Sequence, residues 1–163
     1  MPGMPQAADV AQLVEGLLGR QVTGARTPDP VMRGKDVRIV GSYVDDGGSV
    51  KAVCLVDLVL GNALGAALAL VPEPRVAAAV SAGRVDEDLA ENTREVLNVA
   101  ASLFNSGDRH LKLAGTWVEK EPVPDDVVAF LRVPGRRDDL RLEINGYGGG
   151  VLALVTRDEE PAA

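Results

Sequence analysis

Residues Asp86 to Asn105, DEDLAENTREVLNVAASLFN, divide into two faces when wound at about 3.6 residues per turn. Leu89, Thr93, Val96, Ala100, Leu103 and Phe104 share one face. Glu91, Glu95, Asn98, Ser102 and Asn105 form a stripe on the other. A stretch so divided is a surface helix, and it demands an apolar layer beneath it. Asp86 is placed to cap it, with Glu87 and Asp88 in the first turn where the helix dipole favours negative charge. Ser106-Gly107-Asp108 is placed to stop it. The outer stripe carries carboxylates and amides along its centre, with Arg94 only at its edge. Glu95 and Asn98 are neighbours across a single turn. They are the candidate catalytic residues, with Glu91 and Ser102 on the same stripe as candidate binding residues. The same pattern also suits an ordinary solvated helix face, since Glu-x-x-Asn recurs by chance.

The rest of the chain supplies the layer beneath. Residues 1–5 read as a loose start. Gln6 to Gly19 has helical spacing, with Gly19 as its stop. The proline- and glycine-bearing stretch that follows reads as a connection, with room for a short strand. Val37 to Val44 and Ser49 to Val56 are apolar runs around Asp45-Asp46-Gly47-Gly48, which predicts a β-hairpin. Asp57 can cap a buried helix, Leu58 to Leu70, whose one interior polar residue is Asn62. Pro72 and Pro74 break it, and a short helix over Arg75 to Ala82 follows, ended by Gly83. In the last third, Leu111 to Val118, Val127 to Val133, Leu140 to Ile144 and Val151 to Thr156 read as strands. Leu140, Leu142 and Ile144 alternate with Arg141 and Glu143. NGYGGG, residues 145–150, leads into a strand rather than a helix and lacks the lysine of a phosphate loop, so it reads as a hairpin turn. Residues 157–163 read as a flexible tail. The expectation is one α+β domain: a largely antiparallel sheet with helices packed on one face.

Composition narrows the function classes. The 163 residues carry a net charge of -7 and no basic stripe, which argues against nucleic-acid and anionic-membrane partners. Aromatics are 3% of the chain, too few for base-stacking platforms. Cys54 is the only cysteine and lies in an apolar run, where a thiol acts as a small hydrophobe. His110 is the only histidine and opens a strand, so a histidine-based metal site has no second ligand. No signal peptide or membrane-spanning run is visible, and the expected location is the cytoplasm.

The layout from Val37 onward resembles the CheC/CheX family of chemotaxis phosphatases. In that family a helix, a hairpin and a helical segment precede a long helix carrying Glu-x-x-Asn, and strands follow. Here the motif is EVLN, Glu95 to Asn98. Glu91 stands where the family has Asp or Ser four residues before the Glu, and Pro122 stands near the offset of the family's later proline. Leu97 replaces the usual Gly before the Asn. The earlier helix reads VLGN, Val59 to Asn62, without the Glu of a second site, and one site resembles CheX more than CheC.

The resemblance implies hydrolysis of the aspartyl phosphate on a CheY-like response regulator. Asn98 would orient the attacking water, and Glu95 would dock on the regulator's lysine. It implies no cofactor in this chain, because the regulator brings its own Mg²⁺. It also implies a homodimer, as in CheX. Two other readings stay open: a binding module of the same fold with a degraded site, and a structural or dimerisation domain.

Overall fold

The computed structural model describes residues 4–105, 109–133 and 135–157. The chain runs α1 (Ala7–Leu18), β1 (Val22–Arg26), β2 (Val37–Val44), β3 (Val50–Asp57), α2 (Leu58–Leu68), α3 (Glu73–Ala82) and α4 (Glu87–Ala100). It continues with β4 (Lys112–Val118), α5 (Asp125–Arg132), β5 (Arg136–Ile144) and β6 (Gly148–Thr156). Six strands form one sheet in the order β1-β5-β6-β3-β2-β4, and every neighbouring pair is antiparallel. No helix among the described residues is long and apolar enough to cross a membrane.

Strand periodicity assigns each residue to a layer. Ile39, Tyr43, Cys54, Val56, Leu142 and Leu154 point to one face, where they meet the buried residues of α1, α2 and α4. Val40, Val53, Leu55, Ala153 and Val155 point to the other face and meet Met32, Val127 and Phe130. The expected hairpin forms, with Val40 opposite Leu55 and Gly41 opposite Cys54. Asp57 caps α2 as expected, accepting from the Leu60 amide at 3.0 Å.

One expected strand is corrected. Val127 to Val133 is not a strand, because Asp125–Arg132 is the helix α5. The Val-Val pair suggested extension, but Pro124 sets the helix start, Asp125 and Asp126 occupy its first turn, and Val127 and Phe130 reach the sheet three residues apart. This helix lies on the face opposite α1 to α4. Of the expected loose start, residues 1–3 lie outside the described residues, and Met4 is buried, with its sulfur 4.0 Å from the Thr156 hydroxyl. The expected helix stop at residues 106–108 and most of the expected tail, residues 158–163, lie outside the described residues.

Candidate functional site

Helix α4 is held by contacts from α3, α2 and β2. At its start, the Asp86 carboxylate accepts from the amides of Asp88 at 2.9 Å and Leu89 at 3.3 Å. Burial pushes that carboxyl up, but the two amides and the Arg75 guanidinium outweigh burial and hold it below the ordinary carboxylate range. Arg75, on α3, spans Asp86 at 3.1 Å and Asp88 at 2.8 Å. Buried Asn62 on α2 donates to the carbonyls of Leu58 and Arg84 and accepts from the Asp86 amide at 2.9 Å. The bond to Leu58 stays within α2, and the other two join α2 to the start of α4.

The two helices touch backbone to backbone. A Cβ at Gly65 would overlap the Leu89 carbonyl, and the Thr93 hydroxyl donates to the Gly61 carbonyl at 2.7 Å. Gly61 and Gly65 are four residues apart, so they lie on one face of α2. Gly65 removes the side chain that would hold α4 away, and a Cβ at Gly61 would meet Ile39 and Val85. Further along, the Tyr43 hydroxyl donates to the Leu97 carbonyl at 2.7 Å. Burial pushes that phenol up, so it remains a donor.

The helix departs from its expected faces at three places. The α-helical part ends at Ala100, and Ala101–Phe104 form a tighter 3-10 turn. Ala100 and Leu103 are half-buried rather than buried. Leu97 is 1% exposed and joins the inner face. Its side chain packs against the sheet beside Gly41, where a Cβ would sit 3.4 Å from Leu97 Cδ1. The leucine before Asn98 is therefore turned into the core, away from the outer stripe.

The outer stripe is open. Glu91, Glu95, Asn98 and Ser102 are all exposed. The Ser102 hydroxyl bonds back to the Val99 carbonyl at 3.0 Å, and Asn105 accepts from the Leu111 amide at 2.8 Å. Among the described residues, the side chains of Glu91, Glu95 and Asn98 make no hydrogen bond or ion pair. Val99, 40% exposed, adds an apolar contact beside them. The arrangement presents a carboxylate and an amide one turn apart on a stiff support. Such a pair can accept from a cation and hold a water by donor and acceptor at once.

The other singled-out residues fall elsewhere. Pro122 lies in the connection between β4 and α5. Cys54 is buried, and burial pushes its thiol far up, so it is an inert core residue. His110 is exposed ahead of β4. The anchors Tyr43, Gly65 and Arg75 did not emerge from the sequence. Only the glycines left a signal there, as small residues four apart in an apolar helix.

No protein-family model matches the chain, and no curated protein matches its sequence. Solved structures match in fold. A chain of the FliM–SpeE complex from H. pylori is 10% identical with a TM-score of 0.63, over 93% of this chain and 81% of that one. The FliM middle domain from H. pylori is 9% identical with a TM-score of 0.56, over 93% and 84%. A chain of the CheX–CheY–BeF3–Mg²⁺ complex from Borrelia burgdorferi is 7% identical with a TM-score of 0.51, over 91% and 93%. The chain has the fold shared by CheX and the FliM middle domain.

Proposed function

We propose that the chain docks a CheY-like response regulator on the outer face of α4 and hydrolyses its aspartyl phosphate. The observation that carries this reading is the Glu95–Asn98 pair: exposed, without a hydrogen bond or ion pair among the described residues, and borne on a helix anchored along its other side. Phosphoryl transfer between oxygens asks mainly for positioning and charge stabilisation, and the regulator supplies the metal and the lysine. Asn98 orients the attacking water, accepting from it through Oδ1 while Nδ2 steadies the phosphoryl side. Glu95 pairs with the regulator's lysine and fixes the approach. Glu91 and Ser102 extend the contact along the same stripe. The fold shared with a CheX solved in complex with CheY supports the partner class. The test is decay of a phosphorylated regulator with and without the protein.

A second reading has a specific observation behind it. The likeness is stronger to a chain of the FliM–SpeE complex, with a TM-score of 0.63, than to CheX, with 0.51. On this reading α4 or another face docks a partner without hydrolysis. The two separate cleanly: docking alone leaves the regulator's phosphate lifetime unchanged.

By analogy with CheX, the chain also forms a homodimer through a sheet edge. β1 and β4 are the two edge strands, and an unpaired edge is a template for a further strand. Light scattering coupled to size exclusion tests this, and a monomer at micromolar concentration contradicts it.

A further inference from the structure

The second face of the sheet is covered by α5, 8 residues long, and by the segment around Met32. Between them a groove of about 480 Å³ stays open. Its floor is Val40, Leu55 and Val155, and its wall is Leu131 and Val133 at the end of α5. Leu131 is 36% exposed and Val133 45% exposed, both large for apolar residues. Among the described residues, the charged lining is Arg132 and Arg137, with no carboxylate. Arg137 is committed inward, to Asp139 and to the Met32 carbonyl. Arg132 has no hydrogen bond or ion pair among the described residues. In a chain of net charge -7, an apolar groove whose charged lining among the described residues is cationic favours a partner of opposite sign.

We propose that this groove is a docking site for an acidic segment of a partner protein. An aliphatic or aromatic side chain of the segment enters against Leu55 and Val155, and a carboxylate beside it pairs with Arg132. A buried anchor next to a rim charge is how short segments obtain both affinity and register. The site is on the opposite face of the sheet from the outer stripe of α4, so it is independent of the phosphatase reading.

The test is fluorescence anisotropy with a labelled acidic hexapeptide, ELFEDE, and its charge-reversed counterpart, KLFKKK. The whole chain should bind the acidic peptide with a dissociation constant on the order of 10–100 µM, weakening with salt. The charge-reversed peptide should not bind. Leu131→Asp and Arg132→Glu should each weaken binding by about tenfold or more. Both positions are exposed, and an unchanged thermal melt shows that the variants fold. Lys112→Glu, at the start of β4, should leave binding unchanged. No saturable binding, or binding indifferent to the two groove variants, overturns the proposal. So does conversion of a dimer to a monomer by Leu131→Asp, which makes the groove a contact between copies. Binding that appears only after residues 158–163 are removed also overturns it, since the chain's own acidic end is then the occupant.

Discussion

The Tyr43 hydroxyl takes the Leu97 carbonyl at 2.7 Å, and the helix that carries Asn98 changes pitch there. In a continuing α-helix the Ala101 amide would bond to that carbonyl. Here it turns to the Asn98 carbonyl instead, and the 3-10 turn Ala101–Phe104 begins. A buried phenol from the sheet thus ends the α-helix just past the proposed site. Tyr43→Phe keeps the ring packing against Phe104, 5.0 Å away between centroids, and removes only the donor. It should cost about 1–3 kcal/mol in urea unfolding, since it leaves a buried acceptor unsatisfied. No loss would mean that the bond contributes nothing.

The α2–α4 crossing makes a sharper claim. Gly65→Ala should abolish folding or cost at least about 3 kcal/mol, because the added methyl overlaps the Leu89 backbone rather than a movable side chain. Gly16→Ala in α1 is the control. Nothing lies within 4 Å of its Cβ position, so it should stabilise by about 0.4–1 kcal/mol. Equal effects at the two glycines would refute the packing described.

Acid should act on Asp139. Burial pushes this carboxyl up, but the Arg137 guanidinium and the amides of Met32 and Val31 outweigh burial and hold it below the ordinary range. The folded value is depressed. Its contribution is therefore present above about pH 4, the unfolded value, and is lost as pH falls through the folded one. The stability gap between wild type and Asp139→Asn, measured by denaturant at several pH values, should be constant near neutrality and close in acid. Asp57 has the opposite sign. Burial raises its carboxyl, so its contribution falls as pH rises from about 4 through the raised value. A pH-independent gap for Asp139→Asn would contradict the assignment.

What was legible in the sequence followed from periodicity and caps. Asp57, Asp86, Gly19 and Gly83 mark element ends as expected, because a cap needs one residue of the right chemistry and a local bond. The division of α4 into an inner and an outer face was legible too. Leu97 was not, since its burial depends on Gly41 leaving room in a distant strand. Val127 to Val133 was misread because two adjacent β-branched residues suit a strand, while the sheet surface beneath them rewards Val127 and Phe130 on one helical face. The Glu95–Asn98 pair could be picked out of the sequence as a surface pair. That its support is rigid depends on which distant segments Asn62, Gly65, Tyr43 and Arg75 meet, and no local pattern specifies those partners.

Stability and site should separate at Leu97. Leu97→Ala empties a core position and should cost about 2–5 kcal/mol, whereas Asn98→Ala, at an exposed position with no partner among the described residues, should cost less than about 0.5 kcal/mol. Chemical denaturation of the two variants decides this. A large loss for Asn98→Ala would mean that the amide is structural.

The most direct measurement is the decay of a phosphorylated CheY-like regulator in the presence of wild type, Asn98→Ala and Glu95→Ala, with binding followed in parallel. Wild type should shorten the phosphate lifetime. Asn98→Ala should abolish the acceleration while binding persists, since only the water-orienting amide is lost, and Glu95→Ala should weaken both, since the ion pair serves docking and orientation together. If wild type leaves the lifetime of every regulator from the same cell unchanged, the catalytic account of Glu95 and Asn98 is wrong. Binding released by Glu95→Ala would then identify α4 as a docking surface alone.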